Sequence, residues 1–108
     1  MKLATVQEIT GIAPIPNADS IEVAKVLGWE VVVKKGEFVN GQKVIYIQID
    51  TIAPQTPDFE FLRSRDFRIR TIKLRGQISQ GLIIPLPSNM KNLKVGSDVT
   101  EEIMEYLV

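Results

Sequence analysis

Cysteine and histidine are both missing from this chain of 108 residues. The first absence removes disulfides, thiol nucleophiles and thiolate metal ligands; the second removes imidazole bases and ordinary zinc sites, so serine or cysteine hydrolase chemistry of the usual kind is excluded. Aromatic residues are scarce, with one Trp, two Tyr and four Phe. A general single-strand binder stacks bases on several rings, so this scarcity favours recognition of backbone and shape by charge. No apolar run approaches the ~20 residues that span a bilayer, and the start MKLATVQEIT holds no signal-like apolar block. These absences lead to the expectation of a soluble, intracellular, cytoplasmic protein with no membrane partner. The length suits a single domain over residues 1–108, because a chain of this size buries roughly two thirds of its unfolded surface in one core.

Net charge is also zero, but it is unevenly spread. The segment RSRDFRIRTIKLR, residues 63–75, holds six of the thirteen Lys and Arg residues against the single acid Asp66. Residues 1–62 carry five basic and eight acidic side chains and residues 76–108 two and four, so the three parts stand at −3, +5 and −2. Six cations in thirteen residues repel one another unless an anion faces them, which points to a polyanion; the solvated outer face of a strand accounts for them as well.

Val, Ile and Thr recur with period two in short runs broken by Gly, Pro and Asn, which predicts a mainly β domain. Strands are expected at about Lys2–Ile12, Ile21–Leu27, Trp29–Lys34 and Val44–Ile49. The last would set Ile45, Ile47 and Ile49 on one side and Tyr46 and Gln48 on the other, and Trp29, in phase with Val31 and Val33, belongs to the core. Phe59 and Leu62, three apart, predict a short helix over Asp58–Arg65. Phe67 and Ile69 alternate with Arg68 and Arg70, whereas Ile72 and Leu74 alternate with Lys73 and Arg75, so apolar parity switches near Thr71. A β-bulge there would restore one apolar face and gather Arg68, Lys73 and Arg75 on the other. Leu82–Leu86 predicts another strand, and Gly96, Ser97 and Asp98 cap a final helix over Val99–Leu107. Five or six antiparallel strands with a short helix between the later ones and a C-terminal helix fit a closed or partly closed barrel, best an OB-fold; an SH3-like barrel or small sandwich answers to the same pattern.

The residues also resemble a known family. PIPNADSIEVAKVLGWEVVVKKGEF, VIYIQID, FEFLRSRDFRIRTIKLRGQISQGLIIPL and VGSDVT, in that order, look like the amino-terminal OB-fold module of ATP-dependent RNA ligases, where the module precedes a nucleotidyltransferase domain. The likeness covers about Met1–Thr100, and FRIRTIKLRGQISQGL is its most specific part. A more distant likeness is to EMAP-type tRNA-binding OB domains, through Pro16, Asn17, Ala18, Asp19, Ile21, Glu22 and Val23 and through Arg75, Gly76, Ser79 and Gly81. LGWEVVVKKGEF departs from that second pattern and keeps to the first. Both resemblances imply RNA, or a nicked RNA-containing duplex, as the partner. The first implies a ligase catalytic domain in cis or in trans.

A nucleotidyl ligase needs a Lys-x-Asp-Gly lysine for its AMP intermediate, and carboxylates for metal ions. No such motif occurs here; Lys34, Lys35, Gly36, Glu37 has the wrong order. The chain alone is therefore expected to be inactive, with no catalytic residue, no metal ligand and no cofactor; ATP and a divalent metal would belong to an attached ligase domain. Asn17, Asp19 and Glu22 suit a turn rather than a calcium loop, which takes six or more oxygens.

The candidate RNA contacts are Arg68, Arg70, Lys73 and Arg75 for phosphates, with Gln77, Ser79 and Gln80 between two glycines for phosphate, ribose or base edges. A polar hairpin turn explains those three equally. Lys34, Lys35 and Tyr46 are secondary candidates, the lysines as basic surface or as a hairpin end that discourages edge pairing, and Tyr46 as a stacking ring or a side chain buried under another element. The expected function is a noncatalytic RNA-binding OB module of an RNA ligase that grips the strand near the nick. The alternatives are a tRNA-binding OB domain, or a protein-interaction or oligomerisation OB domain whose dimer would bury Phe59, Phe61 and Leu62.

Overall fold

The structure, a computed structural model, describes residues 3–53, 55 and 57–106. Eight short strands carry the fold: β1 (Ala4–Glu8), β2 (Gly11–Pro14), β3 (Ile21–Val26), β4 (Trp29–Lys34), β5 (Lys43–Ile47), β6 (Thr71–Leu74), β7 (Gln77–Gln80) and β8 (Leu82–Pro85). A 3-10 helix, Pro57–Arg65, lies between β5 and β6, a second 3-10 turn covers Ser88–Met90, and helix α1 covers Thr100–Tyr106. No helix among the described residues is long and apolar enough to cross a membrane.

The strands form antiparallel sheets in the orders β1-β5-β8, β2-β3-β4 and β6-β7. The strand expected over Lys2–Ile12 is divided at Ile9 and Thr10. There the Ile9 N–H donates to the Gln42 carbonyl and the Thr10 N–H to the Lys25 carbonyl, so the chain leaves one partner strand and joins another. β1 with β2 is thus one bent strand serving two sheets. β7 and β8, separated only by Gly81, are another. Merged in this way, five strands follow one another around a ring, β1/β2, β3, β4, β7/β8, β5 and back to β1, with β6 added alongside β7. The ring is a partly closed barrel: β4 and β7 share no ladder among the described residues.

Two apolar clusters flank β5. Ile9, Ala24, Val26, Val31, Val33, Phe38, Val44, Tyr46 and Ile83 fill the barrel, while Ile45 and Ile47 join Val6, Phe59, Leu62, Phe67, Ile69, Met90, Val99 and Ile103 in a second cluster under the helices. β5 is therefore buried on both faces. Of the two expectations for Tyr46 on this strand, a stacking surface or burial under another element, the structure shows burial, because the barrel encloses Val44 and Tyr46 while the 3-10 helix, α1 and the Met90 turn cover Ile45 and Ile47.

The core position expected for Trp29 is corrected. It sits at the start of β4, in phase with Val31 and Val33 as expected, but the neighbouring turn at Leu27 and Gly28 leaves it 37% exposed. The short helix and the terminal helix fall where the sequence places them. Phe59 and Leu62 are buried at their spacing of three, and α1 begins beside Asp98, whose Oδ1 accepts from the Thr100 N–H at 3.0 Å.

Candidate nucleic-acid interface

The cationic segment begins with an abrupt change of direction. Asp66 and Phe67 both adopt the left-handed region, at φ 53° and 61°, a conformation that costs a non-glycine residue of order 1 kcal/mol or more. Burial of Phe67 and Ile69 offsets that cost. The Asp50 N–H donates to the Ile69 carbonyl, the Ile69 N–H to the Thr51 carbonyl and the Ala53 N–H to the Phe67 carbonyl. Arg68, between the two buried residues, is turned outward, and its Nη1 lies 3.5 Å from the Asp50 carbonyl.

Apolar parity then switches as the sequence indicates, but not through a bulge. The pairing with residues 50–53 ends at Ile69, and a new ladder begins when Thr71 pairs with Gln80. Arg70, exposed, is the residue between. Two separate ladders set the two parities.

β6 and β7 form a hairpin with the register Thr71–Gln80, Ile72–Ser79, Lys73–Ile78 and Leu74–Gln77. Its two-residue turn is Arg75-Gly76, at φ 52° and 81°; positive φ at both positions is the type I′ geometry that matches strand twist. The segment Gln77–Gln80, weighed as a turn, is therefore a strand. Opposed residues share a face, so Ile72, Leu74, Gln77 and Ser79 stand on one side and Thr71, Lys73, Ile78 and Gln80 on the other.

That first face meets β4. The Val32 N–H donates to Ser79 Oγ at 2.9 Å, and Gln77 Nε2 donates to Glu30 Oε2 at 3.3 Å and to the Ile78 carbonyl at 2.9 Å. Contacts 30 with 77 and 32 with 79 mean that β7 runs parallel to β4, sewn by side chains rather than backbone. Ser79 is 4% exposed and its oxygen is already engaged.

Gly81 follows at φ 110°, and a Cβ there would lie 2.5 to 2.7 Å from ring atoms of Tyr46. The glycine thus admits an internal ring, not a ligand. Tyr46 is 2% exposed and its hydroxyl donates to the Gln80 carbonyl at 2.7 Å; burial pushes its pKa up from 10.0 to about 12. With no open face, Tyr46 cannot be a stacking platform.

Beside this seam lies a concavity of about 250 Å³, lined by Val32, Phe61, Leu62, Arg65, Ile69, Arg70, Ile72, Leu74, Ser79, Gly81 and Leu82. A second, of about 340 Å³, adjoins it through Val32, Leu74 and Leu82 and continues past Ser20, Ile21, Lys34 and Glu37. Together they make a groove with an apolar floor, Arg65 and Arg70 at one end and Lys34 opposite Glu37 at the other. Lys35 is exposed nearby, held through its N–H to the Ser20 carbonyl.

The structure therefore divides the candidate cations. Arg70 lines the groove, Lys73 stands on the hairpin face turned away from Ile72 and Leu74, Arg75 occupies the turn, and Arg68 lies beside Asp50. None of these four, nor Arg65, has an ion-pair partner among the described residues. Arg63 differs: it holds both carboxylate oxygens of Glu60 and sits 5.5 Å from the Phe67 ring centroid. That hydrogen bond keeps the Glu60 carboxyl below its usual range and Arg63 above its own.

Phe61 and Arg65 line the same concavity, and the sequence pattern does not single them out as candidates. Phe61 was placed with Phe59 and Leu62 in a dimer interface, but Phe59 and Leu62 are inside their own core and only Phe61, 59% exposed, remains available. The signal was present, since a helix that buries Phe59 and Leu62 has no inward position left for Phe61.

An OB-fold domain model matches residues 3–86, and the chain belongs to that OB-fold domain family. Among solved structures, a *Naegleria gruberi* RNA ligase variant with AMP and Mn is similar at 38% identity and a TM-score of 0.87, over 95% of this chain and 34% of that one. The same organism's RNA ligase with PPi matches at 38% identity and a TM-score of 0.85, over 95% and 34%. The chain thus spans about a third of the length of the RNA ligase structures that it matches. No match is found among curated proteins.

Proposed function

We propose that the chain is a noncatalytic RNA-binding module of an RNA ligase, or of a close relative, that grips the RNA strand near a nick while adenylylation proceeds on a nucleotidyltransferase domain acting in cis or in trans. The observation that carries this reading is the 38% identity to an RNA ligase across 95% of the chain. The physical support is the set of five cations, Arg65, Arg68, Arg70, Lys73 and Arg75, without ion-pair partners among the described residues. Like charges held together without counter-charges oppose folding, and a phosphate backbone relieves the repulsion. ATP and a divalent metal act in the attached domain, and this chain contributes affinity and position.

Salt titration of the affinity for nicked duplex RNA, run for the wild type and for a Lys73→Ala, Arg75→Ala double variant, tests the proposal. For duplex RNA each lost phosphate contact flattens the logarithmic salt slope by about 0.9, if the B-DNA value carries over. Both residues are exposed, so melting should hold. Unchanged affinity with a lowered melting temperature would instead make the cationic hairpin a structural element.

A further inference from the structure

We infer that the concavity between the 3-10 helix and the β6–β8 strands is a nucleobase pocket: it takes one unstacked base of a single-stranded RNA segment on the ring of Phe61, while Arg65 and Arg70 hold the phosphates that flank it. The inference rests on the RNA-binding reading and adds to it where the strand lies and what reads it.

Phe61 is the first ground. An aromatic ring 59% exposed on a chain with so few aromatics contributes little to the core. Its inner side meets Phe59, 2% exposed, with ring centroids 6.5 Å apart and planes tilted by 35°. A ring backed by a buried neighbour and open on its outer side is a ready stacking surface, and stacking tolerates any base because every base has a π-face.

Shape and charge are the second. The concavity, at about 250 Å³, falls below the ~300–1,000 Å³ of drug-sized sites, which suits one flat ring system. Its floor, Val32, Ile72, Leu74 and Leu82, is apolar. Its cations, Arg65 and Arg70, belong to the same lining and have no ion-pair partner among the described residues. An apolar floor under two unpaired guanidiniums complements a base between two phosphates. Glu37, the acid of the adjoining concavity, lines it with Lys34 and is absent from the lining that holds Arg65 and Arg70, so the base and its phosphates belong at the Arg65 and Arg70 end.

A short single-stranded RNA of about ten nucleotides carrying one 2-aminopurine tests this, since that base loses fluorescence when it stacks. Wild-type chain should quench it. Phe61→Ala should abolish the quenching and weaken binding by about thirtyfold, the middle of the range for one stacked base, with the salt slope unchanged. Phe61→Trp should restore both, and Phe61→Leu, which keeps apolar bulk without a π-face, should not. Arg65→Ala and Arg70→Ala should each reduce the salt slope by about 0.7, the single-strand value for one phosphate. If Phe61→Ala leaves quenching and affinity intact while the Lys73→Ala, Arg75→Ala variant still loses affinity, the pocket assignment is wrong and the RNA-binding function stands. If wild-type chain binds no RNA at any salt concentration, both fall. Binding of an acidic, apolar peptide that depends on Phe61 and that RNA does not displace would make the groove a protein-docking site and overturn the inference.

Discussion

Replacing Gly81 by alanine should be among the most damaging single changes to this fold. The added Cβ would lie 2.5 Å from Cε1, 2.6 Å from the hydroxyl oxygen and 2.7 Å from Cζ of Tyr46, distances at which something must move. Tyr46 cannot easily yield, because it is packed in the barrel among Val44, Val31 and Ile83. Forcing a side chain into a filled core costs about 1–3 kcal/mol, and a residue other than glycine at φ 110° adds roughly 1–2 kcal/mol. If the ring moves, its hydroxyl loses the Gln80 carbonyl, about 1 kcal/mol more. A total of ~3–6 kcal/mol is a large part of the ~5–15 kcal/mol that holds a domain together, and at ~4–8 °C per kcal/mol it lowers Tm by ~12–48 °C. Thermal melts followed by circular dichroism measure this, with Gly76→Ala as the reference, since Gly76 has φ 81° and open space around it and should lose only the conformational part. Adding Tyr46→Ala to Gly81→Ala should give much less than the sum of the two single losses. A Gly81→Ala chain that melts like Gly76→Ala would refute the reasoning.

Tyr46, with a pKa raised by burial to about 12, favours the folded state while neutral. Its contribution is complete below pH 10 and is lost as pH rises toward 12, which phenolate absorbance and melting curves taken across that range should show together. Ser79→Ala removes the acceptor of the Val32 N–H, should cost about 1–3 kcal/mol, and should speed hydrogen exchange at the Val32 amide above that of its β4 neighbours; unchanged exchange would mean that the seam is held otherwise. Arg63→Ala should lower Tm and leave RNA affinity alone, because this cation is tied to Glu60 and Phe67, whereas Arg70→Ala should do the reverse; matching effects of the two on both readouts would dissolve the distinction. Incubated with labelled ATP and a divalent metal, the chain alone should form no covalent adenylate, and an AMP adduct on any lysine would contradict the proposed noncatalytic role.

Much of this fold was legible because period-two alternation and turn chemistry act locally. Ile21–Val26 and Trp29–Lys34 read directly as strands, and the spacing of Phe59 and Leu62 announced a short helix. What local pattern could not show was which faces other elements would cover. Alternation set Tyr46 opposite Ile45 and Ile47 and left open whether its face is a stacking surface or buried; the 3-10 helix and α1, distant in sequence, make the isoleucine side a second interior and leave Tyr46 to the barrel. The same limit applied to the cations. Composition located the segment, but alternation alone could not distinguish a bulge from two ladders meeting at Arg70 and Thr71, and this distinction puts Arg70 in the groove and Lys73 on the opposite face of the hairpin.

The groove and the open seam of the barrel have one origin. A ring of five strands closes most economically when its last pair shares a ladder, because each backbone N–H and carbonyl then finds a partner. Here β4 and β7 are parallel and are joined through the side chains of Ser79 and Gln77. Side-chain sewing holds the strands less tightly than a ladder, and β6 extends the sheet past β7 on the far side. The floor between β4 and β6 is therefore left open over Val32, Ile72 and Leu74, with Leu74 still 39% exposed. The 3-10 helix, fixed by Phe59 and Leu62, then sets Phe61 and Arg65 along one edge of that opening, and the turn at Asp66 and Phe67 brings Arg70 back to the same edge. The apolar floor and the cations, which have no ion-pair partner among the described residues, each oppose stability taken alone, the one by exposure and the other by repulsion. A ligand that is apolar at its bases and anionic at its phosphates would relieve both at once, which is the physical argument for setting the proposed base contact in the seam and leaving Lys73, on the other face of the hairpin, to phosphates further along the strand.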